Sequence, residues 1–121
     1  MNLNVRKLDL RKETLTAERC WILESQNTPE DPAVSIARAR VERGITTAWH
    51  AVEGTIERYV IVEGRGRVEV GDVPPTEVWP GDVVLIPAGV RQRIANIGEC
   101  DLIFYCVCTP RFEQRNYREL E

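Results

Sequence analysis

Short apolar runs separated by glycine and proline are the feature that most constrains how this chain can fold. From residue 33 onward, apolar and polar side chains alternate, and nearly every break contains Gly or Pro. Alternation with a period of two is typical of strands with one buried face, and Gly and Pro supply turn geometry. The pattern therefore predicts an all-β sandwich or barrel built from hairpins. The predicted strands are 35–41, 47–52, 57–62, 66–70, 77–79, 82–86, 91–96 and 101–108.

The first 34 residues carry a weaker pattern. Residues 5–8 and 20–23 are predicted strands, and the proline-containing stretch 27–32 is predicted to be a loop or a partly disordered segment. We therefore expect three parts. Residues 1–34 are strands and a loop that pack on the barrel or on a partner subunit, and residues 35–110 are the barrel. Residues 111–121 are a tail that lies across the barrel or pairs with a second subunit.

Composition narrows the classes of function. The 121 residues suit one domain, and 16 basic against 19 acidic residues give a net charge of −3. The two signs are interleaved, which argues against a nucleic-acid partner. No apolar run is long enough for a membrane span, and no apolar stretch follows the first charges, so we expect no membrane partner and a cytoplasmic location. In that compartment the four cysteines are expected to be reduced and buried.

A spaced motif occupies the region of the second and third predicted strands. Gly44, His50, Glu57 and Gly64 fit the pattern G-x5-H-x-H-x4-E-x6-G at every spacing, and Val52 stands where the second histidine would be. His50 is the only histidine in the chain. This position therefore receives most weight as a ligand or an acid–base group.

A second motif follows later in the chain. Residues 81–96 fit G-x5-P-x-G-x2-H-x3-N, with Gln92 in place of the histidine. The two motifs, in this order, resemble those of the cupin family. The resemblance implies a double-stranded β-helix, which is a barrel of jelly-roll topology, and it implies a homodimer. In that family three histidines and one glutamate bind a single divalent metal ion inside the barrel.

The alternation of side chains along the strands indicates the same site residues independently of the family resemblance. If His50 points inward, Val52 shares its face, and Glu57 shares an inward face with Tyr59. A buried carboxylate is costly unless it is paired or bound to a cation, so an inward Glu57 needs a partner such as Gln92, His50 or a metal. We therefore predict His50, Glu57 and Gln92 as ligands of a divalent Zn, Ni, Mn, Co or Fe ion. An amide in place of an imidazole would hold the ion less tightly, and the barrel could lack metal altogether.

Three hypotheses of function remain open. In the first, the metal polarises an oxygen of a small organic substrate while Glu57 or Tyr59 moves a proton, as in isomerases, cyclases or lyases. In the second, the barrel is a metal-free module that binds or senses a small molecule. In the third, it is an interaction scaffold with a vestigial site. The predicted ligand-contacting residues, which include two from the inward face of the last strand, are His50, Val52, Gln92, Phe104 and Cys106.

Overall fold

The computed structural model describes residues 4–121. Within that range the chain forms two antiparallel sheets. The strands are β1 (Thr14–Leu15), β2 (Trp21–Gln26), β3 (Ser35–Val41), β4 (His50–Val52), β5 (Ile56–Glu63), β6 (Gly66–Val70), β7 (Thr76–Val78), β8 (Val83–Ile86), β9 (Gln92–Asn96), β10 (Leu102–Thr109) and β11 (Tyr117–Glu119). The strand order is β1-β2-β3-β10-β5-β8 in the first sheet and β11-β4-β9-β6-β7 in the second. All-β architecture is confirmed.

Each run predicted from residue 20 onward contains a strand. The prediction of a strand at residues 5–8 is wrong, because this stretch has no regular structure. Val5 and Leu8 are 54% and 56% exposed, so the short apolar alternation there has no partner strand against which to bury. The sequence also missed the short edge strands β1 and β11. Helix is confined to two short 3₁₀ turns in residues 4–121, and no helix in this range could cross a membrane.

The turn between β5 and β6 shows why glycine is required at one motif position. Gly64 has φ of +87°, which side-chain-bearing residues rarely adopt. A Cβ atom at this position would lie 2.6 Å from the carbonyl oxygen of Asp101. The glycine that ends the first motif is therefore needed both for its backbone angle and for the close approach of β10.

Inward-facing side chains change character along the strands. On β5 the inward residues run from Ile61 through Tyr59 to Glu57, and all three are buried. On the paired strand β10, Phe104 lies opposite Ile61, and Cys108 lies opposite Glu57. One end of the barrel is thus filled with hydrocarbon, whereas the other carries polar side chains around a cavity. The filled end includes Val41, Ile61, Val68, Val78 and Leu102.

Segments outside the predicted barrel complete this polar end. Strand β11 pairs with β4, and Glu119 lies opposite His50 in that ladder. Strands β1 and β2 extend the six-stranded sheet beyond β3. The turn between them, residues 16–20, also borders the cavity. A segment before the predicted barrel and a segment after it therefore both contribute to the mouth of the cavity.

Candidate active site in the barrel cavity

The polar end of the barrel encloses a cavity of about 240 Å³. Its wall has an apolar part and a part that carries carboxylates, thiols and one imidazole. The apolar residues are Ala17, Ile22, Ala37, Ala39, Val52, Ile94, Phe104 and Phe112, and the polar ones are Thr16, Glu18, Cys20, Glu24, Ser35, Thr47, His50, Glu57, Tyr59, Cys106, Cys108, Gln114, Tyr117 and Glu119. A cavity with this division can hold a small molecule that has an apolar body and a polar head.

The imidazole of His50 is held in one orientation on β4. Its Nδ1 atom lies 2.8 Å from the carbonyl oxygen of Ala48 and 3.3 Å from Oε2 of Glu18. Both partners are acceptors, so Nδ1 carries the proton in the neutral ring and Nε2 keeps its lone pair. Nε2 is therefore the atom of His50 that is available to accept a proton or to bind a ligand.

Glu18 and Tyr117 were missed in the sequence analysis. The Tyr117 hydroxyl donates to Oε2 of Glu18 at 3.0 Å. The Tyr117 ring also stacks on that of His50, with centroids 5.4 Å apart and an interplanar angle of 20°. Glu18 and Tyr117 lie outside both motifs, in the turn before β2 and in the tail strand. No spacing in the sequence marks them, because 99 residues separate the two partners.

Glu57 is a buried carboxylate without a full set of partners. It is 9% exposed, and its neighbours across the sheet are Cys108 on β10 and Ile86 on β8. Its Oε1 atom is buried and accepts no hydrogen bond from residues 4–121. Burial raises the pKa of Glu57 above its ordinary value, and the Gln92 side chain and His50 oppose this by smaller amounts. Glu57 is thus placed to hold a proton that a free glutamate would lose.

Tyr59 and Gln92 connect the two sheets. Tyr59 lies on β5 in the six-stranded sheet, and its hydroxyl donates to Oε1 of Gln92 on β9 in the five-stranded sheet. Gln92 is the residue that pairs with His50 between β9 and β4. The Tyr59 ring packs against Phe104 with centroids 4.5 Å apart. Burial, followed by the nearby charge of Glu57, raises the pKa of Tyr59 well above its ordinary value. Tyr59 therefore stays protonated and donates to Gln92.

Most of the predicted site residues come together at this cavity. Gln92 is buried but does not border the cavity, and its side-chain oxygen accepts the Tyr59 hydroxyl. Burial raises the pKa of the Cys106 thiol well above its usual range, so this wall residue is an uncharged thiol at neutral pH. The predicted residues that line the cavity are His50, Val52, Glu57, Tyr59, Phe104 and Cys106.

Comparison with known proteins places this geometry in a family. A family profile described as Cupin domain matches residues 37–108, which contain both motifs. The chain belongs to the cupin family. This cupin is 34% identical over 87 residues to the uncharacterized protein MJ1618 of Methanocaldococcus jannaschii, an alignment that covers 72% of this chain and 69% of the relative.

Solved structures confirm the double-stranded β-helix fold. A predicted oxalate decarboxylase of Thermotoga maritima is 25% identical with a TM-score of 0.68, and the alignment covers 75% of this cupin and 80% of that chain. The Streptomyces protein Pac13, described as a nucleoside dehydratase, is 16% identical with a TM-score of 0.76, covering 95% and 90%. At that identity Pac13 is similar in fold alone.

The residues of this cupin do not fit the metal centre that the family resemblance implies. Val52 has no donor atom, and the oxygen of Gln92 already accepts the Tyr59 hydroxyl. Among residues 4–121, no group of three His, Cys, Asp or Glu side chains is placed to hold a metal ion. His50 and Glu57 remain, whereas catalytic zinc sites ordinarily have three protein ligands. The ligand roles of His50, Glu57 and Gln92 stay a prediction that elemental analysis tests.

Proposed function

We propose that this cupin is a proton-transfer enzyme of the isomerase or lyase type that acts on a small organic molecule inside the barrel. One observation supports the proposal above others. A histidine with a free Nε2 and a buried glutamate with a raised pKa line the same cavity. Two titratable groups whose environments differ in this way supply a base and an acid at one pH.

His50 is the proposed base. Its Nε2 atom removes a proton from the substrate, and the ring becomes an imidazolium. The Glu18 carboxylate, 3.3 Å from Nδ1, stabilises that positive charge. Tyr117 holds Glu18 in place through its hydroxyl and restrains the His50 ring by stacking. Glu18 and Tyr117 are therefore positioning residues in this scheme.

Glu57 is the proposed acid. Its protonated carboxyl gives a proton to an oxygen or nitrogen atom of the substrate as His50 takes one from a carbon atom, so the total number of protons is conserved. In an isomerase the imidazolium then returns its proton to a second carbon while the substrate oxygen gives its proton back to Glu57. In a lyase the protonated oxygen or nitrogen leaves as water or ammonia, the imidazolium releases its proton to solvent, and Glu57 takes one up from solvent. The raised pKa of Glu57 keeps this group protonated at a pH where a free glutamate is ionised.

One protein of the same fold is described as having chemistry of this class. Pac13 is described as a dehydratase, and removal of water needs a base and an acid on one substrate. The fold hosts other reactions, so the proposal depends on His50 and Glu57 of this chain and not on the fold.

Deuterium exchange tests the proposal and does not require the product to be identified. The protein is incubated in D2O with a panel of small ketones, aldehydes, alcohols, amino compounds and carboxylates, and loss of C–H signals is followed by proton NMR. We expect exchange in at least one compound, and we expect His50→Gln to slow it by about a hundredfold or more. Glu57→Gln should slow exchange to a similar extent. Glu63→Gln, an exposed carboxylate on the same strand, is the matched control and should leave the rate unchanged.

The same experiment separates metal-dependent from metal-free chemistry. The protein is dialysed against a chelator, its metal content is measured by plasma mass spectrometry, and exchange is repeated. Retained exchange supports the acid–base scheme. Loss on metal removal, with recovery on addition of a divalent ion, would replace it with a metal-dependent mechanism through His50, Glu57 and Gln92. If His50→Gln does not slow the exchange, both the acid–base mechanism and the metal-dependent mechanism are contradicted.

A binding module without turnover is the second candidate. The largely hydrocarbon part of the cavity wall, which includes Ile94 and Phe104, favours retention of a small ligand. Ligands that bind tightly and show no His50-dependent exchange would support this candidate.

The expected homodimer and cytoplasmic location stay predictions. For the dimer, the outer face of β5 and β8 offers a surface on which a second copy could pack. Val62, Val83 and Leu85 on these strands are 48%, 61% and 60% exposed. Burial of such side chains against a second copy would remove apolar area from water.

A further inference from the structure

The charged side chains that line the cavity have one sign. Four glutamates border it, and no Lys or Arg from residues 4–121 does so. Glu57 is deep in the barrel, Glu18 is largely buried, and Glu24 and Glu119 lie at the exposed mouth. The field inside the cavity is therefore negative.

Four hydrogen-bond donors around the cavity are already used. The Thr16 hydroxyl donates to Cys20, and the Tyr117 hydroxyl donates to Glu18. The Tyr59 hydroxyl donates to Gln92, and Nδ1 of His50 faces the Ala48 carbonyl. A ligand carboxylate or phosphate would meet like charge in this wall, and these four donors are not free to bind it.

The acceptors, in contrast, are not all satisfied. Oε1 of Glu57 is buried, has no partner among residues 4–121, and belongs to a side chain that borders the cavity and is 9% exposed. Nε2 of His50 keeps a lone pair. An unpaired buried carboxylate oxygen is costly, and a cationic donor relieves that cost most fully.

From these observations we infer that the ligand of the cavity is a small organic cation, a primary amine on a short apolar body, and not a carboxylate or phosphate. A neutral amine that enters the cavity takes the proton of Glu57, and the ammonium group that results supplies positive charge and three donors to the Glu57 carboxylate and to the acceptors near it, with the number of protons unchanged. The carbon body lies against Phe104, Ile94 and Val52. This inference rests on the proposed function in placing the ligand in this cavity, and it specifies the class of substrate.

A matched series of probes tests the inference. 2-Phenylethylamine, 2-phenylethanol and phenylacetate share one carbon skeleton and differ in the charge of the head group. Because His50 is the only histidine in the chain, its ring resonances report binding at this site without assignment of other signals. Titration up to about 10 mM detects a Kd as weak as about 1 mM.

We expect the amine to bind at least about tenfold more tightly than the alcohol, a difference of about 1.4 kcal/mol, and we expect phenylacetate not to shift the His50 resonances. Glu57→Gln should reduce the affinity for the amine to that for the alcohol. Glu63→Gln, on the same strand and exposed, should keep the preference. Glu18→Gln, a second cavity carboxylate, should weaken binding of the amine and leave that of the alcohol unchanged.

Three results would overturn the inference: phenylacetate that binds as tightly as the amine, a preference for the amine that survives Glu57→Gln, or no binding of the amine. The deuterium-exchange panel distinguishes failure of this inference from failure of the proposed function. His50-dependent exchange in a carboxylate compound would preserve the function and remove the cationic substrate. An amine that binds through Glu57 and shows no exchange would support the cationic ligand and contradict the proposed function.

Discussion

Glu57→Gln is expected to stabilise the folded protein at neutral and alkaline pH. The side chain is 9% exposed, lies between Cys108 and Ile86, and has an unpaired oxygen. A buried acceptor without a partner costs about 1 to 3 kcal/mol, and more when it is charged. Glutamine has nearly the same shape and leaves a neutral amide at the unpaired position, so it removes only the cost of burying the charge, and the substitution should raise the free energy of unfolding at pH 8 by about 1 to 3 kcal/mol. For a chain of this length, each kcal/mol corresponds to about 4 °C in Tm.

The pH dependence gives the prediction its sign. Burial raises the pKa of Glu57 in the folded state, so between the unfolded and folded pKa values the folded protein binds more protons than the unfolded chain. The free energy of unfolding therefore falls as pH rises through that window. Glu57 contributes no penalty below the unfolded pKa of about 4.3 and an increasing one above it. The wild type should lose stability relative to Glu57→Gln from about pH 4.3 upward.

Urea denaturation followed by tryptophan fluorescence, repeated between about pH 4 and pH 8, measures this difference. Glu63→Gln on the same strand is the control, and its difference from the wild type should stay small and flat with pH because Glu63 is exposed. A Glu57→Gln protein that is less stable than the wild type at pH 8 would refute the reasoning. So would a stability difference that does not change with pH, since that would mean Glu57 has a full partner in the folded protein.

Two further predictions concern the fold and the thiols. Gly64→Ala should destabilise the protein by at least about 2 kcal/mol more than Gly54→Ala in urea denaturation, because both sites have positive φ but only Gly64 faces the Asp101 carbonyl at 2.6 Å. Equal losses would contradict this account. The expectation that all four cysteines are buried is wrong for Cys100, which is exposed, so a thiol reagent should label about one site in the native protein and all four in urea. Burial raises the pKa of the Cys108 thiol to about 12, so Cys108 should react slowly in the native protein. Fast labelling of a second thiol in the native protein would contradict the burial of the other three cysteines.

The part of the site that the sequence predicted lies on regular strands. His50, Val52, Glu57 and Tyr59 were placed on inward faces because side chains alternate along a strand, and all four line the cavity. Phe104 and Cys106 followed from the same alternation on β10. These predictions needed only the local period of two and the turn positions, which are properties of short segments.

The role of Gln92 could not be predicted in this way. Its inward face was inferred from alternation, and the side chain is 1% exposed. Whether its oxygen faces the cavity depends on Tyr59, which reaches across from the other sheet and donates to it. A contact between sheets is set by how the two sheets pack, and spacing along one strand carries no information about that packing.

The sequence by itself determined the β architecture, the turn positions and the strands that carry His50 and Glu57, because alternation and glycine placement act over a few residues. Only the tertiary structure brought Glu18 and Tyr117, 99 residues apart, onto that histidine. It alone excluded Lys and Arg of residues 4–121 from the cavity wall and left Oε1 of Glu57 without a partner. Such features depend on the register between distant strands and on where the chain ends pack, and the chemistry of this barrel is set by those long-range contacts.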